Sequence, residues 1–233
     1  MQLFYCPDII DSPILDAIES QHCIKVLRHK AGDQIHLIDG KGKQYQGIIK
    51  TPNAKACELS DVKMIRSEER SSKLHIAIAP TKSPDRMEWF VEKATEIGVN
   101  EVTFIQCQHS ERPRINIERL NKKAISATKQ NQSLWLPEIN PMVSFDEFIG
   151  FDRVANKYVA FAEQKDQVYF HQKIDKDSKI ETIILIGPEG DFTHTEIMKA
   201  KSAGYLTISL GKSVLRTETA GIVACTLFIN YNS

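Results

Sequence analysis

The chain is 233 residues long, and its 30 lysines and arginines balance its 30 aspartates and glutamates. That length holds one large domain or two modest ones, with enough bulk to bury a core. Zero formal charge excludes a chain that is basic throughout, so any nucleic-acid site has to be a local patch.

Other classes fall away as quickly. No apolar run approaches the roughly 20 residues that a membrane span needs, and the opening MQLFYCPDII lacks the basic-then-apolar order of a secretory signal. The five cysteines (Cys6, Cys23, Cys57, Cys107 and Cys225) are scattered and without a CxxC pair, and the histidines show no HExxH spacing. A disulfide framework and a zinc site are both disfavoured. A cytoplasmic protein with no membrane and no metal is expected.

The first seventy residues read as short strands and turns. DQIHLIDGKGKQYQGIIK alternates Ile35, Leu37 and Asp39, turns at Gly40-Lys41-Gly42 and resumes through Tyr45, Gly47 and Ile49. This is a hairpin pattern, with glycines where a tight turn needs positive φ. KACELSDVKMI supplies another strand. RSEERSSK (66–73) is polar, charged and aperiodic, which places a boundary there and gives domains of 1–70 and 71–233.

The rhythm then changes. KLHIAIAP reads as a buried strand, and Ser83-Pro84 pairs an N-cap with a first-turn proline. Met87, Phe90, Val91, Ala94 and Ile97 recur at helical spacing before a stop at Gly98. EVTFIQC, KYVAFAE, ETIILIG and LTISLG are further strands, and IERLNKKAISATKQ is a helix. Between the last two strands a helix opens on Thr193 with Glu196 three residues on, a capping box, and stops at Gly204. TAGIVACTLFINY closes the chain as an apolar helix. Strands alternating with helices predict an α/β domain whose mostly parallel sheet is covered on both faces.

In such sheets ligands sit beyond the carboxyl ends of the strands. Two glycine loops hold that position, IGPEGDF (186–192) and SLGKSVLRTETAG (209–221). Gly211-Lys212-Ser213 imitates the tail of a phosphate-binding P-loop, but the glycine required five residues earlier is Leu206. Glu189 points the same way. A carboxylate beside polyphosphate costs on the order of 1 kcal/mol in water and several times more when partly buried. S-adenosylmethionine, a sulfonium nucleoside without phosphate, escapes that repulsion. The plainer alternative is that Glu189 caps the following helix.

The paired loops, about twenty residues apart, resemble the knotted SPOUT-class RNA methyltransferases. Within that class the closer resemblance is to the bacterial family that methylates uridine N3 in 16S ribosomal RNA, the small-subunit methyltransferase E type. HCIKVLRHKAGDQIHLIDGKGKQYQGII is similar to that family's N-terminal PUA-like β-barrel, and EKATEIGV, SERPR and KQNQSLWLP to its middle motifs. Two positions depart from the family pattern: Asp191 stands where a second glycine is common, and Ser133 where arginine is frequent.

The resemblance implies a parallel sheet with a C-terminal trefoil knot, a fold that general chain-threading rules treat as an exception. It implies that S-adenosylmethionine is cradled by Ile186, Gly187, Pro188, Glu189 and Gly190 with Leu210, Gly211, Val214 and Leu215. In that arrangement Val214 and Leu215 cover the adenine, and Ala79 and Pro80 form a third rim. Arg216 is expected to hold charge developing on the uracil or a flanking phosphate, and Glu218 is the candidate base or a structural partner of Arg216. Arg28 and Lys30 on the barrel, with Lys82, Arg86, Arg112, Arg114, Lys122 and Lys123 on the larger domain, are expected to contact RNA. A homodimer with residues 220–231 in its interface is also implied, with 16S ribosomal RNA or the small ribosomal subunit as partner. Methylation at another ribosomal or transfer RNA position, or a silent RNA-binding assembly factor, are the alternatives.

Overall fold

In the computed structural model, which describes residues 2–70, 72–111, 114–161, 168–174 and 180–232, the chain forms two compact units. One comprises 1–70 with 125–136, the other 71–124 with 137–233.

The first unit contains β1 (Leu3–Tyr5), α1 (Ala17–Gln21) running into a π-helical turn (His22–Val26), β2 (Gln34–Ile38), β3 (Lys43–Thr51) and β4 (Glu58–Ser67). The four strands form one sheet in chain order, β1 parallel to β2 and the rest antiparallel. Alternate residues Ile35 and Leu37, with Tyr45, Ile49, Leu59 and Phe4, make its core. The β2–β3 hairpin turns through Gly40 and Gly42, at φ +72 and +94. A Cβ at Gly42 would also come within 2.5 Å of the Trp135 indole, so this glycine is fixed by space as well as by torsion. The helical stretch 17–26 corrects the reading of this region as strands and turns alone. Its start is local: the Asp16 carboxylate accepts the Glu19 N–H at 2.7 Å. A five-residue α-helix is too short for a periodic signal. Buried Glu19 is paired with Lys129, a residue of the 125–136 segment that a single cut at 70 would assign elsewhere.

The second unit runs β5 (Leu74–Ile78), α2 (Pro84–Ile97), β6 (Glu101–Gln106), α3 (Ile117–Gln130, whose later turns belong to the first unit), β7 (Glu138–Ser144) and α4 (Phe145–Ile149). It continues with β8 (Ala155–Ala160), a 3-10 turn (Phe170–Gln172), β9 (Glu181–Ile186), α5 (His194–Ser202), β10 (Leu206–Ile208) and α6 (Thr217–Asn232). Six strands form one wholly parallel sheet in the order β10-β8-β9-β5-β6-β7. Strand residues alternate between two buried faces: Ala77, Ile105, Val159, Ile183 and Leu185 pack under α4 and α5, while Ile76, Ile78, Phe104 and Ile184 are equally buried on the other, where α2 and α6 lie. Strand β7, which the sequence reading did not include, carries Pro141 and lies at the sheet edge, where a missing N–H is tolerated. Ser83 and Pro84 open α2 as expected, although the Ser83 side chain makes no cap bond, and Gly98 ends it at φ +110.

The amino ends of the strands share a polar network. Arg153 donates twice to Glu101 at 3.0 Å and once to His75 Nδ1 at 3.0 Å, and lies 3.6 Å from Glu181. His75, Glu101 and Glu181 bring ligand atoms within 4.8 Å of one another, but the guanidinium already supplies the cation such a cluster calls for. Burial pushes the His75 imidazole down to about 4, Glu101 opposing and Arg153 assisting. The neutral ring accepts from Arg153 and pairs through Nε2 with Thr103 Oγ1 at 2.8 Å. All five cysteines are free and buried, and burial raises Cys225 to about 12. Among the described residues no helix is long and apolar enough to cross a membrane.

Two outcomes follow from this packing. Gly221 lies in α6 against α2, where a Cβ would meet the fully buried Phe90 ring at 2.5 Å. Gly→Ala normally stabilises a helix interior by about 1 kcal/mol, yet overpacking costs about 1–3 kcal/mol, so Gly221→Ala is expected to lower the denaturant midpoint; a rise contradicts the close approach. For pH, a histidine with a folded pKa below its unfolded value of about 6.5 loses its proton preference on folding. Stability should therefore fall as pH drops from about 6.5 to about 4, by up to about 3 kcal/mol. Glu101, which burial pushes up but its hydrogen bonds from Arg153 bring below the usual carboxylate range, adds to the loss at the acid end, and Glu181, raised by burial, subtracts from it. Unfolding free energies that stay flat between pH 6.5 and 4.5 would contradict a neutral buried His75.

Candidate functional site

The carboxyl ends of β8, β9 and β10 open into a cleft of about 420 Å³. Ala160 and Phe161 end β8 at its floor. One wall is Ile186, Gly187, Pro188 and Glu189, and the other is Ser209, Leu210, Gly211, Val214 and Leu215.

Local chemistry shapes the first wall. The Pro188 carbonyl accepts the Asp191 N–H at 2.9 Å, closing a turn that leaves Asp191 at φ +58. This is the left-handed region, which explains a glycine in the resembled family. Asp191 occupies it with its Oδ1 accepting the Phe192 N–H at 2.8 Å, the local bonding that lets aspartate tolerate such torsions. A Cβ on Gly187 would approach the Phe192 ring to 3.0 Å. His109, which sequence reasoning missed, lies with Nδ1 3.0 Å from the Gly190 carbonyl and 3.1 Å from that of Asp191, so an Nδ1–H tautomer pins this turn. The helix that follows is capped reciprocally by Thr193 and Glu196, and Glu196 Oε1 also accepts the Gln108 N–H at 2.8 Å. Glu189 is therefore not the cap.

The second wall is tied to the first by a part-buried bond. The Thr217 hydroxyl, 4% exposed, donates to the Gly187 carbonyl at 3.0 Å. The Ser209 hydroxyl donates to the Gly211 carbonyl at 2.9 Å, folding the loop back on itself. A Cβ at Gly211 would meet nothing within 4 Å, so it is the torsion, φ +158, and not a clash that disfavours a side chain here. Lys212 and Ser213 lie in the loop before α6, not at its start, which removes the P-loop reading on geometry as well as on spacing.

Charge in the site is organised by Arg86. Its guanidinium is 3.4 Å from Glu189 and 3.7 Å from Glu218. The sequence reading offered Arg216 as the structural partner of Glu218; the structure supplies Arg86 instead, and Arg216 is exposed. Glu218 is 6% exposed, and among the described residues its Oε2 has no hydrogen-bond partner.

Of the positions expected to hold a cofactor, Ile186, Gly187, Pro188, Glu189, Leu210, Gly211, Val214 and Leu215 line the cleft. Ala79 and Pro80 are buried and do not line it, and Gly190 abuts His109. Of the expected RNA contacts, Arg86 belongs to the cleft. Lys82, Lys122 and Lys123 are engaged with Glu111, Glu118 and Glu92 in surface pairs of little energetic weight. Arg28, Lys30 and Arg114 are exposed and form no ion pair among the described residues, and Arg112 lies outside them. Ser133 forms a turn with Trp135, its hydroxyl 3.1 Å from the Trp135 nitrogen.

Residues 68–229 match the model of the RNA methyltransferase domain. The chain belongs to that RNA methyltransferase family. Residues 15–62 match the PUA domain of RNA methyltransferases, which accounts for the first unit. The family includes a ribosomal RNA small subunit methyltransferase E of Mesomycoplasma hyopneumoniae, 30% identical over 75% of this chain and 77% of that protein. The enzyme of the same name from Rickettsia conorii is 27% identical over 87% and 83%. Among solved structures, a probable rRNA-methyltransferase of Porphyromonas gingivalis superposes with TM-score 0.85 at 40% identity, covering 99% of this chain and all of that one. A methyltransferase of Legionella pneumophila solved with bound SAM superposes at 0.84 and 26% identity, over 98% and 96%.

The tie between the walls can be removed without changing volume. Thr217→Val leaves the Gly187 carbonyl without its donor, which should cost about 1–3 kcal/mol in unfolding free energy. A loss below about 0.5 kcal/mol would show that the hydroxyl does not hold the loops.

Proposed function

We propose that this chain transfers a methyl group from S-adenosylmethionine to uridine N3 in 16S ribosomal RNA. The observation that carries the proposal is the cleft between the loops after β9 and β10, at the carboxyl edge of a sheet in a chain of the RNA methyltransferase family. The donor set fits the cofactor. Main chain from Gly187 and Gly211 borders the cleft, Val214 and Leu215 supply apolar cover, and Glu189 and Asp191 put carboxylates where a polyphosphate would be repelled. Arg86, 3.4 Å from Glu189, offsets part of that repulsion.

When bound, S-adenosylmethionine supplies an electrophilic methyl on a sulfonium. The chain's task is orientation and charge. Glu218, buried and short of one donor, is the group to accept the N3 proton, and Arg86 keeps that carboxylate in place. Arg216, exposed at the rim, is free to neutralise charge spreading onto the uracil oxygens. Arg28 and Lys30 in the PUA unit and Arg114 in the larger one provide phosphate contacts, which position RNA without specifying the target. The proposal includes a barrel closed around the first sheet, a trefoil knot formed as the C-terminal segment threads the loops of the cleft, a homodimer with residues 220–231 in its interface and a cytoplasmic setting.

The experiment is mass-spectrometric mapping of 16S RNA from cells with and without the protein. A single uridine should lose an N3 methyl in its absence. An unchanged methylation map would sink the proposal. Arg216→Ala should lower turnover more than cofactor affinity, and RNA affinity should fall steeply with salt.

A further inference from the structure

Beside the cleft lies a second hollow of about 620 Å³, and Arg86, Val214, Leu215 and Arg216 line both. The hollow adds Asp85, Trp89, Glu218 and Thr219 to its wall. Trp89 stands 44% exposed on α2, although the helix buries the adjacent Glu88 and Phe90. Among the described residues Glu218 Oε2 is buried without a donor, a state that is costly unless a ligand completes it.

We propose, resting on the uridine reading above, that this groove seats the target base, with Trp89 stacking on the pyrimidine face and Arg86, Glu218 and Arg216 meeting its edge. Uracil presents two carbonyl acceptors flanking the N3–H donor. The groove answers with two guanidinium donors and the buried Glu218 carboxylate as acceptor; its other carboxylate, Asp85, is exposed and lies 4.0 Å from Arg119. Cytosine has an acceptor at N3, which would face the carboxylate with repulsion, so the set favours uracil. Continuity with the cleft is what a methyl acceptor requires, and a base inside stacked RNA must leave the stack to reach such a pocket. An indole is the side chain that replaces the lost stacking. The rival occupant is a second copy of this chain. It fits less well, because the centres of protein interfaces are depleted in charge and this wall carries four ionisable groups, Asp85, Arg86, Arg216 and Glu218.

The test uses full-length Trp89→Ala, Trp89→Leu and Trp89→Phe proteins. Three quantities are measured: methyl transfer to small-subunit RNA from cells lacking the protein, S-adenosylmethionine affinity by calorimetry, and sedimentation velocity. Alanine and leucine, which lack an aromatic face, should lower kcat/KM for RNA by roughly ten- to a hundredfold. Phenylalanine should restore most of it, with cofactor affinity and sedimentation unchanged in all three. The inference is overturned if alanine stays within threefold of the parent, if leucine rescues as well as phenylalanine, or if cofactor affinity falls. A changed sedimentation coefficient overturns it too, by assigning Trp89 to a contact between copies. A parent protein that transfers no methyl to uridine overturns the uridine reading itself, and this inference with it.

Discussion

The hydroxyl of Thr217 and the carbonyl of Gly187 form the bond on which the geometry of the site depends. The two loops that it joins follow β9 and β10, which are not neighbours: β8 lies between them. Strands pair about 4.8 Å apart, so the ends of β9 and β10 diverge by roughly 10 Å, and the end of β8 floors the gap. A cleft is the geometric result of that strand order. Beside that tie, the second loop is held by its own turn at Ser209–Gly211 and by main-chain bonds of Ser209 with Val168 and Phe170 at 2.9 Å. The donor side of the bond is buried, so the Thr217 hydroxyl has no ready substitute in water.

The two edges of the sheet do different work. At the amino ends, Arg153 is hydrogen-bonded to Glu101 and His75 at 3.0 Å and faces Glu181 at 3.6 Å, and the histidine is kept neutral by burial. At the carboxyl ends the polar groups are left incomplete. Arg86 reaches two carboxylates at 3.4 and 3.7 Å without a short bond to either, and Glu218 retains a buried oxygen with no donor among the described residues. A network that satisfies itself stabilises; one that lacks a donor or acceptor is arranged for something that arrives.

Much of this was legible in the sequence, and the failures have physical causes. Elements with a full hydrophobic period were readable: α2 from Met87, Phe90, Val91 and Ala94, and β5 and β9 from their unbroken apolar runs. The capping box at Thr193 and Glu196 fixed the start of α5. Strand β7 was hidden by Pro141, which is admissible only because β7 is an edge, a fact of topology. The cleft was readable from two glycine loops, but not which residues cross it. Arg86 was placed with RNA and Glu218 with Arg216, because residues near in sequence are easier to pair than residues 132 positions apart. His109 gave no signal at all, since its bonds are to main-chain carbonyls that any residue could offer. Asp191 looked like a defect in a glycine pattern, whereas its own carboxylate supports the left-handed torsion that the glycine would have adopted.

The central claim is that the cleft between residues 186–191 and 208–217 receives S-adenosylmethionine. A crystal structure of the protein with that molecule tests it most directly. The account predicts one molecule per chain, its adenine under Val214 and Leu215 and its edges against the main chain of Gly187 and Gly211. Electron density for it anywhere else on the chain, with this cleft filled only by solvent, would contradict the account.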